Sequence, residues 1–238
     1  GAMHKWVDAW TKDKKWMSES ELKAQFDKEM YKERHAFNEK QFKLRMQQGH
    51  DVIPAYYQAR KDEFKQYSLV QTEKMINAVI DGVHISGFLD KMVFDGNRVT
   101  VVDYKTGKPE NSVKKAAPPG PRSAGKLPNP YWFQLGVYQL MSNLQPGKSW
   151  HCNTAIIDCI EKDDQGEFPL IQLYYNDEQN QILREWIAQA NHQLQTLEFM
   201  NGCGKAECYW CNFAKQTEQV ILLPREADIE SGESVDPD

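Results

Sequence analysis

The sequence predicts an α/β fold in which a mixed β-sheet is flanked by helices and preceded by a helical N-terminal segment. Three observations lead to this prediction. Residues 3–66 carry helical patterns, residues 68–104 hold three strand-like runs in succession, and a helix, two strands and a long helix follow. Helices, then a β-meander, then helix and strands are typical of a sheet covered by helices.

The individual elements follow from hydrophobic periodicity and from turn residues. The N-terminal helical stretches are predicted at 4–10, at 19–33, in a charged stretch that ends near 47, and at 52–66. Strands are predicted at 68–79, 83–94, 98–104, 150–160 and 168–175. The remaining helices are predicted at 130–143 and 178–198.

A short turn joins the second and third predicted strands. The residues Asp95-Gly96-Asn97 between two apolar runs are a strong β-hairpin signal. If Gly96-Asn97 form the turn, Asp90 lies directly opposite Asp103. If Asp95-Gly96 form it, the two aspartates lie diagonally across the hairpin. In both registers they share one face, and Lys105, two residues beyond Asp103, joins them.

Two acids and a lysine on one sheet face make a poor core, because unpaired buried charge is costly. Such a cluster calls for a metal ion or a counter-charge. Carboxylate oxygens with open coordination positions suit Mg²⁺ or Mn²⁺, and a nearby lysine can hold a water or stabilise charge on a phosphate. The alternative from the spacing alone is a surface hairpin with a cross-strand salt bridge.

The composition fits a packed enzyme domain. With 238 residues, 40% of them hydrophobic, the chain can bury a substantial core. No apolar run approaches the roughly 20 residues of a membrane span, so no membrane partner is expected. The net charge of −5 argues against a strongly basic nucleic-acid coat but allows local basic patches. Residues 1–3 resemble a tag-cleavage scar, and no Walker A motif is present.

Four strings together resemble one family. VHISGFLDKMVFDG and VVDYKTGK resemble the PD-(D/E)xK nuclease signature, and the DYKTG form is similar to its RecB-type branch. YWFQLGVYQL contains the Gln-x-x-x-Tyr motif that follows the hairpin in that branch, and GCGKAECYWCNF resembles its closing segment. The resemblance is to the C-terminal nuclease domain of bacterial UvrD/RecB-like superfamily 1 DNA helicases. It implies a restriction-endonuclease-like core.

The resemblance implies five catalytic residues, namely Asp90, Asp103, Lys105, Gln134 and Tyr138. The two aspartates are expected to bind one or two Mg²⁺ or Mn²⁺ ions, and Lys105 to position or activate the attacking water. Gln134 and Tyr138 are four residues apart and share one face of a helix. In the family this pair positions the lysine, the substrate or a phosphate. An amphipathic core helix is the alternative, and both interpretations are compatible.

Three further metal ligands are expected from the resemblance. His4 matches a histidine on an early helix that reaches the metal, and His35 in a charged helix is its rival. Glu73 matches an upstream acid, expected as a metal ligand or a neighbouring base, or else as an exposed strand glutamate. The backbone carbonyl of Tyr104 is the third expected ligand.

A segment rich in proline and glycine, residues 113–128, is predicted to be a mobile loop. It holds no acid and four basic residues, namely Lys114, Lys115, Arg122 and Lys126. Because it lies between the hairpin and the helix of Gln134, we expect it to contact DNA phosphates or to guide a strand. The alternative is an ordinary solvated linker.

The five cysteines leave alternatives open. Their odd number disfavours a disulfide framework, and Cys203, Cys208 and Cys211 have a C-x₄-C-x₂-C spacing that suggests metal binding. Several RecB-like nucleases hold an iron–sulfur cluster with one cysteine before the core and three after it. No cysteine precedes the core here, so this cluster is disfavoured. Zinc with a fourth ligand from elsewhere and packed thiols are the alternatives.

The expected organisation is a nuclease domain over residues 1–225 and an acidic flexible tail over 226–238. Within the domain, residues 1–66 are the helical part, 67–200 the catalytic core and 201–215 the cysteine-containing closing segment. The resemblance implies a metal-dependent DNA nuclease, bacterial and cytoplasmic, in DNA repair or recombination. Its expected partners are DNA that is single-stranded or has single-stranded ends, and a helicase motor in the same parent polypeptide. The alternative is a non-catalytic DNA-binding or helicase-regulating module.

Overall fold

The computed structural model describes residues 2–13, 15–63, 67, 69–120, 128–197, 207–209 and 211–213. Its helices are α1 (Ala2–Asp13), α2 (Glu19–Lys32), α3 (Glu39–Arg60), α4 (Pro109–Ala116), α5 (Pro130–Asn143) and α6 (Asp177–Gln195). Its strands are β1 (Leu69–Ile80), β2 (Val83–Asp95), β3 (Arg98–Lys105), β4 (His151–Cys159) and β5 (Leu170–Tyr174). The chain divides into two compact units, Gly1–Ala188 and Gln189–Asp238, and the whole sheet belongs to the first.

The strands of the described residues form one five-stranded sheet in the order β1-β2-β3-β4-β5. β1, β2 and β3 are antiparallel neighbours, β3 and β4 run parallel, and β5 is antiparallel to β4. A parallel pair needs a crossover connection, which α4 and α5 supply. The prediction of a mixed sheet flanked by helices is confirmed.

Apolar side chains on the two faces of the sheet form two separate cores. The first, between the sheet and the helices α5 and α6, includes Leu89, Val101, Trp132, Leu135 and Leu183. The second, between the sheet and the helices α1 to α3, includes Trp6, Leu22, Ile53, Val93 and Val102. Gly136 lets α5 and α6 pack closely, because a Cβ there would lie 2.5 Å from Leu183 Cδ1. Both faces of the sheet are therefore covered by helices.

Side-chain caps fix where the two charged helices begin. Ser18 and Asn38 each accept a hydrogen bond from the backbone N–H three residues on, and Glu21 and Gln41 reach back to the cap backbone. Each of these capping boxes satisfies two of the donors that a helix start leaves without partners. None of the described helices is long and apolar enough to cross a membrane.

Two predictions of local structure are wrong. The charged stretch that ends near 47 and the helix at 52–66 are one continuous helix, α3, with Pro54 inside it. Burial of Ile53 and its neighbours in the second core outweighs the local cost of this proline. Residues 113–116 are not loop but the end of α4, which starts at Pro109, where a missing N–H costs nothing. Residues 121–127 of the predicted loop lie outside the described residues.

Candidate active site

The hairpin of β2 and β3 has the register in which Gly96-Asn97 form the turn. Asp95 pairs with Arg98 and Lys91 with Val102, and beyond this last pair Asp90 lies close enough to Asp103 to act on its charge. Gly96 has a φ of +59°, which glycine adopts without steric cost. Of the two predicted registers, the structure has the one with Gly96-Asn97 at the turn, and its pairs end at Lys91 and Val102, one residue before Asp90 and Asp103.

The pairing of β1 with β2 is interrupted beside these carboxylates. The pairs on either side are formed, but Glu73 and Asp90 are not paired. Glu73 has a φ of +46°, in the left-handed region that glutamate seldom adopts. Side chains of β2 change faces here, since Leu89 packs in the first core whereas Lys91 is buried on the opposite face beside Tyr104. Backbone held in such a conformation clusters at functional sites.

His4 of α1 contacts both acids at this interruption. Its Nδ1 lies 2.6 Å from Glu73 Oε1, and its Nε2 lies 3.5 Å from Asp90 Oδ1. The hydrogen bond with His4 lowers the pKa of Glu73. Asp90 Oδ2 accepts a hydrogen bond from the backbone N–H of Tyr104 at 3.0 Å. The structure thus brings His4, Glu73 and Asp90 together, whereas His35 lies exposed in the 3₁₀ helix Arg34–Ala36.

Gln134 of α5 holds the two candidate side chains of β3. Its Nε2 donates to Asp103 Oδ1 at 3.2 Å, and its Oε1 accepts from Lys105 Nζ at 3.1 Å. Gln134 Nε2 also lies 3.3 Å from the Tyr138 hydroxyl, to which it donates. The Tyr138 ring packs on Gly87 of β2, where a Cβ would lie 3.1 Å from its Cε1. The Gln-x-x-x-Tyr pair therefore faces the hairpin, as the spacing indicated.

Asp103 is almost fully buried, with 4% of its surface exposed. Burial raises the pKa of this carboxyl, and the negative charge of Asp90 adds to the rise. Lys105, whose Nζ lies 2.7 Å from Asp103 Oδ2, lowers the same pKa without cancelling the rise. Asp103 therefore holds its proton more tightly than an ordinary aspartate does.

The raised pKa of Asp103 gives a prediction for the metal-free protein. The pKa of this carboxyl is higher in the folded chain than its ordinary value of 3.8 in the unfolded chain. The protonated form therefore stabilises the folded chain below pH 3.8, and this stability is lost as the pH rises through the folded pKa. Asp103→Asn cannot titrate, so its free energy of unfolding relative to wild type should increase over that range. Urea denaturation of both proteins in EDTA at stepped pH measures this. A difference that does not change with pH would contradict the assignment.

The donor set suits a hard divalent cation. Asp90 and Asp103 offer carboxylate oxygens, with the His4 imidazole and the Tyr104 backbone beside them. Asp103 Oδ2 is buried, and its contact with Lys105 lacks hydrogen-bond geometry, so it keeps lone pairs for a further partner. Within the described ranges, no group of three or more His, Cys, Asp or Glu is already arranged to hold a metal ion. A cation would have to displace the Lys105 ammonium from Asp103.

Two of the four basic residues predicted to bind DNA are described. Lys114 and Lys115 lie exposed in the last turn of α4. Lys115 Nζ lies 5.1 Å from the ring centroid of Tyr131, and Lys105 Nζ lies 4.5 Å from the same centroid. The Tyr131 ring thus connects α4 to the lysine of the hairpin. Arg122 and Lys126 lie outside the described residues.

Two residues of this region were missed by the sequence reasoning, Tyr131 and Glu161. Glu161 follows β4, and its Oε1 accepts a hydrogen bond from the Gly107 N–H at 2.7 Å, which holds the turn after β3. The ends of parallel strands meet at one edge of a sheet, and this rule could have located Glu161. Tyr131 lies three residues before Gln134 on the same helix face, a spacing that was readable in the sequence.

A cleft of about 860 Å³ opens beside these residues. One side is formed by the candidate catalytic region, including His4, Asp90, Lys105 and Tyr131. The other side is formed by α2, α3 and the turn between them, including Phe26, Met30, Phe37 and Arg45. The cleft is large enough for a ligand of ordinary small-molecule size.

The cysteines fall into two groups. Cys152 and Cys159 are buried in the first core, and burial raises the pKa of Cys152 to about 12, so this thiol is unreactive. Cys208 and Cys211 lie three residues apart and are partly exposed. Cys203 lies outside the described residues, so the three-cysteine metal site stays a prediction.

Comparison with known proteins assigns the chain to a family. The family described as the PD-(D/E)XK nuclease superfamily matches residues 1–216. The chain belongs to the PD-(D/E)XK nuclease superfamily, and its helix-flanked mixed sheet is the restriction-endonuclease-like α/β fold that the resemblance implied.

Two solved structures are similar to the chain at low identity. A candidate exonuclease from Eubacterium rectale is 16% identical, with a TM-score of 0.48 over 96% of this chain and 78% of that chain. The structure of SSO0001 is 15% identical, with a TM-score of 0.34 over 73% of this chain and 70% of that chain. No curated protein matches the sequence.

Proposed function

We propose that this protein is a metal-dependent DNA nuclease that hydrolyses phosphodiester bonds. The observation that carries the proposal is the convergence of Asp90, Asp103 and Lys105 at one edge of the sheet, with Gln134 bonded to two of them. A purely structural hairpin has no use for a nearly buried carboxylate near a second acid, because that arrangement costs stability.

The residues present fit the divalent ion that nucleases of this superfamily typically use. Asp90 and Asp103 would hold Mg²⁺ or Mn²⁺, with His4 Nε2 and the carbonyl of Tyr104 as further ligands. Glu73 contacts the other ring nitrogen of His4, so we assign it to orienting the imidazole instead of binding the ion itself. A bound ion supplies a water of lowered pKa and neutralises charge on the scissile phosphate.

The remaining side chains position the reacting groups. Lys105 holds the attacking water and stabilises the negative charge that develops on the phosphate. Gln134 fixes the Lys105 ammonium by accepting a hydrogen bond from it through Oε1, and the Tyr138 hydroxyl accepts a hydrogen bond from Gln134 Nε2. A preorganised donor of this kind needs no rearrangement at the moment of reaction, which is why it is effective.

The biological context of the proposal rests on resemblance. We assign the domain to the RecB-type branch and to the nuclease module of a cytoplasmic helicase-nuclease that acts in DNA repair or recombination. We assign phosphate contacts to the exposed Lys114 and Lys115 and, from sequence, to Arg122 and Lys126; the contact of Lys115 with the Tyr131 ring, which Lys105 also contacts, supports this. The alternative, a non-catalytic DNA-binding or helicase-regulating module, is disfavoured because a degenerate copy would be expected to lose some of the five catalytic residues.

The decisive test is cleavage of end-labelled nucleic acid. The purified protein is incubated with single-stranded DNA, duplex DNA and RNA in Mn²⁺, in Mg²⁺ and in EDTA, beside an Asp103→Ala/Lys105→Ala variant. We expect DNA cleavage that requires metal and is absent in the variant. DNA binding without cleavage by the folded protein in any metal would favour the non-catalytic alternative, and cleavage of RNA alone would exclude DNA as the substrate.

A further inference from the structure

The cleft beside the candidate active site has a wall that phosphodiester hydrolysis does not require. This wall belongs to α2, α3 and the turn between them, and lines the same cleft as His4, Asp90 and Lys105. Most of its side chains are apolar, namely Phe26, Met30, Phe37, Val52 and Ile53, of which two are aromatic. Arg45 of α3 is exposed among them. An apolar, aromatic surface with a cation, open to the reacting groups, calls for a ligand with both flat and anionic parts.

We propose that this wall binds unpaired nucleotides of the DNA substrate, with bases stacked on its aromatic rings and a phosphate at Arg45. The inference rests on the proposed nuclease function and specifies its substrate as a single-stranded segment. Bases in a duplex are already stacked on their neighbours and offer no face to a protein ring. Unpaired bases do, and aromatic side chains in positively charged grooves are the usual means of binding them.

Contacts with α3 fix the position of the Phe26 ring. The tip of the ring lies against Gly49, where a Cβ would come within 2.1 Å of Cζ and would also overlap both Cε atoms. His50 packs edge-on against the same ring, with centroids 5.9 Å apart, and is itself paired with Asp27. Glycine inside a helix is destabilising, and the close approach of this ring accounts for its presence here. A ring fixed in this way loses little conformational entropy when a base stacks on it.

The charges along the cleft are compatible with a nucleic-acid strand. Besides Asp90 of the candidate metal site, two acids line it, Asp51 and Glu161, and each accepts a hydrogen bond from a protein donor. Asp51 Oδ1 accepts from Gln47 Nε2 at 2.7 Å, and Glu161 accepts from the Gly107 N–H at the same distance. Two cations besides Lys105 line the cleft, Arg45 and Lys162, so a strand there can contact a positive charge.

Substitution of Phe26 separates stacking from chemistry. Phe26→Leu keeps an apolar side chain but removes the flat face, Phe26→Tyr keeps the face, and Tyr174→Leu removes an exposed aromatic of β5 that does not line the cleft. We expect Phe26→Leu to raise KM for single-stranded DNA by about 5-fold or more, with kcat changed by less than about 2-fold. Phe26→Tyr and Tyr174→Leu should leave KM unchanged. An unchanged KM in Phe26→Leu overturns the proposal.

A binding measurement in EDTA distinguishes failure of this inference from failure of the nuclease function. Stacking on a protein ring changes the fluorescence of 2-aminopurine placed in single-stranded DNA, and no cleavage is needed. We expect a fluorescence change with wild type and Phe26→Tyr that is lost in Phe26→Leu. If wild type cleaves no DNA but gives this change, the nuclease proposal fails and the stacking wall stands. If wild type cleaves blunt duplex as efficiently as single strands and gives no fluorescence change, the proposed stacking fails and the nuclease proposal stands.

Arg45 offers a second variant that does not disturb packing, because its side chain is exposed. Arg45→Met should reduce the slope of log KM against log salt by roughly 0.7, the loss of one phosphate contact to a single strand. Arg98→Met is the matched control, since Arg98 begins β3 and Lys105 ends it, at opposite edges of the sheet. An unchanged slope in Arg45→Met would remove the phosphate contact from the proposal.

Discussion

Replacing Lys105 with methionine is expected to lower kcat for DNA cleavage by about 10²- to 10³-fold, the usual cost of losing one preorganised donor to developing charge. Methionine keeps an unbranched apolar stem in a position where 18% of the lysine side chain is exposed. The substitution removes the ammonium group, whose Nζ lies 3.1 Å from Gln134 Oε1 in the wild type. The loss should therefore appear in kcat and not in KM for DNA.

The same variant should change how metal affinity depends on pH. In the wild type, Lys105 lowers the pKa of Asp103, and its ammonium also competes with a cation for that carboxylate. Without Lys105 the pKa of Asp103 rises further, so at acidic pH a proton competes better with the metal. At alkaline pH Asp103 is ionised and no ammonium opposes the cation. Lys105→Met should bind Mn²⁺ more weakly than wild type at low pH and at least as tightly at high pH.

Calorimetric titration with Mn²⁺ across pH, together with single-turnover cleavage at saturating Mn²⁺, measures both effects. Lys148→Met is the matched control, because this lysine is exposed beside Trp150 and does not line the cleft. A fall in kcat of less than about 10-fold would contradict a direct role for Lys105 in the transition state. Equal loss of Mn²⁺ affinity at every pH would mean that Lys105 acts by supporting the structure of the site.

The part of the site that local sequence determines was predictable. The hairpin follows from a turn signal between two apolar runs, and the shared face of Asp103 and Lys105 follows from the two-residue period of a strand. The four-residue spacing of Gln134 and Tyr138 likewise put both on one helix face. These features are predictable because the residues that form them lie close together in the sequence.

The parts that depend on distant packing could not be read in this way. The unpaired position at Glu73 and Asp90 depends on α1 supplying His4, which lies 69 residues before Glu73. The stacking wall depends on α3 continuing through Gly49 and Pro54, two residues whose local preference is to end a helix. In both cases tertiary contacts override the propensity of the local sequence.

Long-range packing also creates a buried ionic network on the opposite face of the hairpin, made of Arg60, Glu63, Lys91 and Asp158. Lys91 and Asp158 are fully buried, with Lys91 Nζ 3.7 Å from Asp158 Oδ2 and 3.4 Å from Glu63 Oε1. Arg60 lies 3.3 Å from Asp158. Lys91 follows Asp90 in β2, and Asp158 pairs with Tyr104 across β3 and β4. The network therefore joins the strands that carry the candidate site.

Asp158→Ala is expected to lower the free energy of unfolding by about 3–5 kcal/mol, because it leaves a buried lysine without one of its counter-charges. It also removes the acceptor of the Tyr56 hydroxyl, which donates to Asp158 at 2.8 Å. Urea denaturation measures the loss. Asp81→Asn is the control, since it removes the charge of a surface ion pair with Arg184, worth less than about 1 kcal/mol, and asparagine tolerates the positive φ of this position.

The loss in Asp158→Ala should be nearly independent of pH from about pH 6 to about pH 9. Burial alone would lower the pKa of Lys91, but Tyr104 and the carboxylates of Glu63 and Asp158 raise it above 10.5. A lysine with a raised pKa contributes stability that is fully present below its unfolded pKa and is lost only above that value. A loss that shrinks towards pH 9 would show that Lys91 loses its proton in the folded Asp158→Ala variant.

A charge-balanced double variant distinguishes electrostatics from packing. Lys91→Met/Asp158→Leu removes one charge of each sign and leaves Arg60 paired with Glu63 at 3.4 Å. Replacing a buried ion pair by apolar residues of similar volume is often neutral, so the double variant should recover most of the stability lost in Asp158→Ala. If it is as unstable as Asp158→Ala, the loss comes from packing and from the Tyr56 hydroxyl. If it recovers, the stability loss in Asp158→Ala comes mainly from the uncompensated charge of Lys91.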